Sequence, residues 1–252
     1  MRRMLAMILT LGVAVPAFAA DETERVERTV TFPSGGTLKL KNFSGDVRIT
    51  GADRSDVSIL AIRKAPRERL ERVKLTIETT STGVLIEANK RDRDRDDEDR
   101  NNVVETSFTI QVPRAANLDV SVFSSPVYVD GVNGALDLHT FSGGLRLTGV
   151  SRELKAHTFS GSIEAALAES ASEADVDLDT FSGDISIRMP KAVPANVSFN
   201  SFSGDIECDY PLLLKSKSRR SLRAQLAPSG SETATRSDMR FKTFSGDVRI
   251  TK

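Results

Sequence analysis

Apolar and polar residues alternate one by one along most of this chain, which is the pattern of β-strands that bury a single face. In Val176–Phe181 (VDLDTF) one face carries Val, Leu and Thr, and the other carries two Asp and Phe. A Ser-Gly pair follows, and the alternation resumes with Ile185, Ile187 and Met189 on one face. The sequence therefore predicts an all-β protein in which paired strands meet at a Ser-Gly corner.

A short phrase centred on Phe-Ser-Gly-Asp returns along the chain. The steps from Phe123 to Phe141 and on to Phe159 are 18 residues each, followed by 22 to Phe181 and 21 to Phe202. A period of this size predicts a β-solenoid-like stack of two-strand coils of about 20 residues, with an N-terminal antiparallel β region. The copies are Asn42–Ile49, Val122–Val129, Thr140–Leu147, Thr158–Ala165, Thr180–Ile187, Ser201–Cys208 and Thr243–Ile250.

The last step of the repeat is longer than the others. Phe202 and Phe244 are 42 residues apart, which is twice 21. This gap predicts one degenerate coil hidden in Asp209–Asp238, where prolines and a glycine also indicate loops. The final coil, ending in Val248–Lys252, is expected to be an uncovered edge that could pair with another molecule.

The predicted organisation has three parts. A signal peptide covers residues 1–19, and an N-terminal β region covers 20–116 with a charged hairpin loop at 90–102. The repeat solenoid covers 117–252 with a loop insertion at 209–238. Within the N-terminal region the alternation predicts six strands and one short helical turn: Val26–Phe32, Thr37–Lys41, Val57–Arg63, Val73–Glu78, Val84–Asn89, Val103–Val112 and the turn Arg67–Arg72.

The first residues have the form of an export signal. Arg2 and Arg3 precede an apolar run, Leu5–Val15, and a small-x-small cleavage site that ends at Ala19. We expect an exported protein that is periplasmic or associated with the cell envelope. No transmembrane segment is predicted after removal of the signal.

Composition narrows the possible partners. The chain is 39% hydrophobic and 28% charged, as globular proteins usually are, and its formal net charge is zero, so nucleic acid is not expected as a partner. A local basic cluster nevertheless lacks acidic neighbours. It either faces water or binds an anionic surface such as phospholipid, lipopolysaccharide or a wall polymer. The cluster consists of Lys215, Lys217, Arg219, Arg220 and Arg223.

Cys208 is the sole cysteine, which excludes an internal disulfide. It occupies the position that aliphatic residues hold in the other repeat copies. We therefore expect a small core side chain rather than a reactive thiol.

The alternation has a consequence for the repeated phenylalanines. Each Thr before a repeat Phe shares the face of the core aliphatics, so the Phe itself should point outward. Either the Ser-Gly corner tucks the ring inside, or the solenoid carries an exposed aromatic stripe. A stripe would be a candidate binding surface, with stacking that stabilises neighbouring strands as its purely structural alternative. Its candidate residues are Phe141, Phe159, Phe181, Phe202 and Phe244.

Two histidines extend the candidate surface. His139 and His157 lie one coil apart, each two residues before a repeat Phe, and Asp179 holds the same position on the next coil. Two imidazoles and a carboxylate at sheet spacing could capture a divalent metal such as zinc; the alternative is an ordinary polar ladder, and no metal is assigned. Stacked calcium sites are disfavoured because Gly144 and Ser162 replace the Asp of the phrase.

The sequence contains no motif of a known catalytic site. It lacks a G-x-S-x-G elbow, a P-loop, an H-E-x-x-H pair and a dinucleotide fingerprint. The outward carboxylates Asp137, Asp177 and Asp179 lie on a flat ladder rather than in a cleft. We therefore expect that the protein is not an enzyme and that it has no catalytic residues and no cofactor.

The repeated T-F-S-G-D-[IV]-x-[IL] phrases, the Val112-Pro113 strand end and the export leader together resemble a bacterial family of β-strand-repeat envelope proteins. The family carries the label putative adhesin and is filed as a domain of unknown function. The resemblance covers most of the mature chain and implies a β-solenoid-like fold without established catalytic residues. The chain departs from the phrase at Ser124–Pro126, Gly144 and Ser162.

The expected function is that of a non-enzymatic exported protein which presents a repetitive β surface for binding or scaffolding, with an envelope protein or glycan as its partner. One alternative is an envelope-stress sensing or assembly partner, and a second is a carbohydrate-active β-helix enzyme. The sequence does not indicate an oligomeric state.

Overall fold

The computed structural model describes residues 21–90, 103–171, 173–226 and 237–252. The predicted signal peptide, residues 91–102 of the charged loop and residues 227–236 of the insertion lie outside the described residues. The described residues form one short helix, α1 (Arg67–Arg72), and the strands β1 (Glu22–Thr31), β2 (Thr37–Ser44), β3 (Val47–Ala52), β4 (Asp56–Ala65), β5 (Lys74–Thr80), β6 (Gly83–Lys90), β7 (Glu105–Pro113), β8 (Asn117–Ser124), β9 (Val127–Asp130), β10 (Leu136–Ser142), β11 (Leu145–Val150), β12 (Leu154–Ser160), β13 (Ile163–Leu167), β14 (Val176–Ser182), β15 (Ile185–Arg188), β16 (Ala195–Ser203), β17 (Ile206–Cys208), β18 (Leu212–Lys217), β19 (Ser221–Leu226), β20 (Ser237–Ser245) and β21 (Val248–Thr251).

The strands form two mixed sheets. Sheet A has the order β1-β4-β7-β3-β9-β11-β13-β15-β21-β17, and sheet B has the order β18-β19-β16-β20-β14-β12-β10-β8-β2-β6-β5. Each repeat coil gives the strand before its Ser-Gly corner to sheet B and the strand after it to sheet A. The predicted all-β, solenoid-like fold is confirmed.

The core lies between the two sheets, where inward side chains of successive coils form aliphatic ladders. In sheet B, Leu138, Ala156 and Leu178 lie opposite one another in parallel register, and all three are buried. An equivalent ladder lines sheet A. A single coil cannot enclose its own inward side chains, so their burial depends on the coils stacked on either side of it.

The Ser-Gly corner brings the backbones of successive coils into contact. At Gly161 the φ angle is +150°, and a Cβ there would lie 2.3 Å from the carbonyl oxygen of Gly143 on the neighbouring coil. The buried Thr180 hydroxyl donates a hydrogen bond of 3.1 Å to the Gly161 carbonyl. The corner therefore requires glycine, because a side chain would meet the backbone of the next coil.

The N-terminal part adds antiparallel strands to the stack. β1, β4 and β7 pair antiparallel in sheet A, and β5 pairs antiparallel with β6 in sheet B. In contrast, β2 and β3 run parallel to β8 and β9, so the first Phe-Ser-Gly-Asp copy stacks directly on the later ones. The predicted strands and helical turn of this region are confirmed as β1, β2, β4–β7 and α1. The division of the chain at residue 117 stays a prediction.

For the described residues of Asp209–Asp238, which are 209–226 and 237–238, the predicted degenerate coil is wrong. β18 and β19 form an antiparallel hairpin at the edge of sheet B instead. The physical reason is that Leu222, Ala224 and Leu226 alternate along β19 and are buried in the core cluster, so the hairpin covers the end of the core.

The last repeat coil lies between two coils that precede it in the chain. β20 pairs in parallel with both β14 and β16, and β21 pairs in parallel with both β15 and β17. The predicted uncovered C-terminal edge is therefore wrong, because Ile250 lies opposite Ile187 on one side and Cys208 on the other. The edges of the described sheets are β1 and β17 in sheet A and β5 and β18 in sheet B.

Replacing Gly161 by Ala should destabilise the protein by about 1–3 kcal/mol, since the residue is held at positive φ and its new Cβ would meet a carbonyl oxygen. Gly144 is the matched control, because its added Cβ would meet only the Ser162 carbonyl oxygen at 3.5 Å. Urea unfolding of both variants measures the difference. Equal midpoints for Gly161→Ala and Gly144→Ala would contradict the role assigned to the corner.

Candidate binding surface

The seven repeat phenylalanines form one continuous ladder on the outer face of sheet B. Adjacent ring centroids are 4.7–4.9 Å apart, and neighbouring ring planes lie within 13° of parallel. The side chains are 39–52% exposed, so the outward stripe is the arrangement that occurs. In spatial order the rings are Phe43, Phe123, Phe141, Phe159, Phe181, Phe244 and Phe202.

The ladder points outward because its sequence neighbours point inward. Thr140, Thr158, Thr180 and Thr243 are buried beside their phenylalanines. The strand alternation thus continues up to the Ser-Gly corner, as the sequence pattern predicted. The Thr hydroxyl stays near the corner, where Thr180 donates to a glycine carbonyl.

Stacking determines which part of each ring meets solvent. Each ring face within the ladder is covered by the next ring, so the ring edges are exposed. Six steps of 4.7–4.9 Å give a stripe about 29 Å long. At this exposure seven rings offer roughly 600 Å² of apolar surface, at the upper end of what a monomeric protein usually exposes in one patch.

A polar row runs beside the ladder, two residues earlier on each strand. The His139 and His157 rings stack with centroids 5.0 Å apart, as predicted from their spacing. Nε2 of His139 lies 2.8 Å from Oδ1 of Asp137. Asp179 lies opposite His157 in register, and its Oδ2 is 3.0 Å from Nζ of Lys242.

Sequence reasoning missed Lys242 as the neighbour of Asp179. The two residues are 63 positions apart, and only the out-of-order placement of β20 brings them together. The described residues contain no group of three His, Cys, Asp or Glu side chains placed to hold a metal ion. With the carboxylate of Asp179 and the ammonium group of Lys242, the polar row offers hydrogen-bonding groups of both charges along the ladder.

The aspartates that follow the corner glycine hold neighbouring coils together. Oδ1 of Asp184 accepts the backbone N–H of Asp247 at 3.0 Å, and Oδ1 of Asp247 accepts the backbone N–H of Asp205 at 3.0 Å. These three residues lie on consecutive coils, although the chain order places Asp205 before Asp247. Their carboxylates act as backbone acceptors between coils.

The ladder ends beside the β18–β19 hairpin. The guanidinium carbon of Arg220 lies 4.1 Å from the centroid of the Phe202 ring, a cation–π contact that covers the terminal ring face. A groove of about 470 Å³ opens next to it, lined by the last rings of the ladder together with Lys242 and Asp179. The candidate surface thus has a cationic end.

A second groove, of about 830 Å³, lies at the other end of the sheets, where β1 and β5 are the edge strands. Its lining is largely charged. Arg63 is buried there and donates to Glu24 and to the carbonyl of Val73, so this cation is already satisfied by the protein.

Cys208 is half-buried and packs against the core, at the aliphatic position of its repeat copy. Burial raises the pKa of its thiol above the ordinary value. Both observations fit a packing role for this side chain.

Comparison with known proteins places the chain in a family. The family model described as Toastrack DUF4097 matches residues 18–251, which confirms the resemblance drawn from the repeats. Among solved structures, a protein named a putative cell adhesion protein, from Clostridium sporogenes, has a TM-score of 0.56 at 11% identity and covers 91% of this chain and 99% of its own. One named a putative adhesin, from Bacteroides fragilis, has a TM-score of 0.44 at 9% identity and covers 90% and 97%. No curated protein matches the chain.

The similarity to the Clostridium sporogenes structure shows that the two chains share a fold. Within the part of the chain that the structure describes, no helix has the length and apolar character needed to cross a membrane.

The raised pKa of Cys208 leads to a test by alkylation. Only the thiolate reacts, so iodoacetamide should modify native Cys208 more slowly at neutral pH than it modifies the urea-unfolded chain. The native rate should continue to rise with pH above about 8.5, where an ordinary thiol is already half ionised. Mass spectrometry of quenched samples measures both rates. Native labelling as fast as that of the unfolded chain would instead indicate an activated thiol.

Proposed function

Since the chain belongs to the Toastrack DUF4097 family, we propose that it is a non-enzymatic, exported binding or scaffolding protein of the cell envelope and that the phenylalanine ladder is its binding surface. The observation that carries this proposal is the ladder itself, an exposed apolar stripe of seven rings. The export signal predicted from residues 1–19 supports the location. The adhesion name of the Clostridium structure agrees with a binding role.

The shape of the ladder indicates what kind of partner fits. A straight, flat stripe about 29 Å long matches an extended chain better than a compact ligand. An envelope protein segment with an apolar face fits, and so does an extended glycan strand. The neighbouring polar row would supply hydrogen bonds, chiefly from His139, His157 and Asp179.

Stacking alone does not account for the exposure. A ladder that only stabilised the strands could be covered by another element, as aromatic rows often are. Here the stripe stays open over its length, and the arginine at its end covers only the face of Phe202. An open stripe with polar neighbours resembles the composition of a protein interface.

The test replaces two central rings, Phe141→Thr and Phe159→Thr, which keeps a good strand-forming residue at each position. The labelled mature protein is sedimented with isolated bacterial cell envelopes. We expect the double variant to lose about tenfold or more in binding, because the apolar stripe is interrupted at its middle.

The matched control is Arg146→Thr with Glu164→Thr, a paired set on the outer face of sheet A in the same two coils. This control should bind like the parent protein. Treatment of the envelopes with protease or with a muramidase identifies the partner as protein or glycan. Equal sedimentation of the ladder variant and the control would overturn the proposal.

A further inference from the structure

The β18–β19 hairpin, together with its connecting turn, differs from the remainder of sheet B in its charge. Elsewhere on this outer face four lysines form ion pairs, for example Lys39 with Asp119 at 3.3 Å and Lys41 with Glu87 at 3.0 Å. Residues 212–226 contain five cations and no carboxylate. All five are exposed, and none forms a salt bridge with another described residue. They are Lys215, Lys217, Arg219, Arg220 and Arg223.

The same hairpin exposes two large apolar side chains. Leu213 and Leu214 are 63% and 61% exposed, more than any ring of the ladder. They lie on β18, the edge strand of sheet B, which extends beyond the last strand of sheet A. Among the described strands β18 pairs with β19 alone, and Leu213 and Leu214 are left exposed at this edge.

The geometry gathers these groups at one end of the molecule. The register of β18 is irregular between Leu214 and Ser216, and Lys215 shares a surface groove with Arg223. Arg220 stands over Phe202 at the end of the ladder. The hairpin thus presents leucines on its edge strand β18 and cations along β18, in the turn and on β19.

We infer that the hairpin docks the protein on the surface of an anionic lipid bilayer. Exposed leucines beside a cluster of lysines and arginines provide the two signals that interfacial binding requires, namely apolar insertion and attraction to anionic headgroups. Charge complementarity favours an anionic lipid surface as the partner. All charged residues of the hairpin are cations, although the chain as a whole is neutral, and no described carboxylate pairs with them. The hairpin surface is separate from the middle of the phenylalanine ladder, so the two surfaces act independently.

The test uses vesicles of phosphatidylcholine alone and vesicles of a two-to-one mixture of phosphatidylcholine and phosphatidylglycerol. The parent protein should sediment with the anionic vesicles and not with the neutral ones, and this binding should weaken as salt is raised. Replacing Lys215, Lys217 and Arg219 by Ser should weaken binding on the order of 100-fold, because each basic residue near such a surface strengthens binding roughly fivefold. Leu213→Ser with Leu214→Ser should also weaken binding, and the residual binding should be more sensitive to salt.

A charge-matched control separates the hairpin from the net charge of the protein. Arg152→Ser, Arg188→Ser and Lys191→Ser remove three exposed cations outside the hairpin. This control should bind anionic vesicles like the parent. The Phe141→Thr, Phe159→Thr variant should do the same, so a failure of the ladder proposal would leave this result unchanged.

Three results would overturn the inference: parent protein that binds neither vesicle, parent protein that binds both equally, or a hairpin triple variant that binds as tightly as the control triple variant. Urea midpoints of all variants verify that the exposed substitutions leave the fold intact. The salt series with the parent protein tests the electrostatic attraction without any substitution.

Discussion

The close contact between backbones at the Ser-Gly corner is the constraint on which the other features depend. Gly143, Gly161 and Gly183 approach one another so closely that a Cβ on either of the later two would collide with the preceding carbonyl. Hydrogen bonds fix the neighbouring coils at the same point, and the Thr180 hydroxyl adds another from inside. This contact sets the register of each coil relative to the next. Once the register is fixed, equivalent side chains must lie above one another.

The ladders follow from that register. Inside, aliphatic residues stack into a continuous core; outside, phenylalanines stack ring on ring about 4.8 Å apart. Stacked cross-strand pairs stabilise a sheet by roughly 0.2–1 kcal/mol each, so the outer ladder contributes to the fold as well as to the surface. The same stacking leaves only ring edges exposed. The apolar stripe is therefore narrow and straight, which favours an extended partner.

The hairpin interrupts the repeat and adds a different surface. Alternate residues of β19 cover the end of the core, while the exposed residues of the hairpin include five cations together with Leu213 and Leu214. A repeat coil could not supply exposed leucines together with unpaired cations, because the phenylalanine ladder and the polar row occupy its outward positions in sheet B. The two surfaces thus arise from two kinds of local structure, one periodic and one not.

Much of this arrangement could be predicted from the sequence, because alternation and repeat spacing act locally. The strands, the outward direction of the phenylalanines and the stacking of His139 on His157 all follow from period-two patterning within a coil and equal spacing between coils. The order of the last coils could not be predicted in this way. The phrases around Phe181, Phe202 and Phe244 are nearly identical, so each fits any slot in the stack equally well.

Only the tertiary structure decided that β20 enters between β14 and β16. This placement brings Lys242 into contact with Asp179 and puts Asp247 between Asp184 and Asp205. The reason is physical: local sequence specifies what a strand buries, whereas the choice of its neighbours depends on the path of the chain between them. Here the hairpin occupies the outer edge and covers the core, which leaves the final coil an inner slot with partners on both sides.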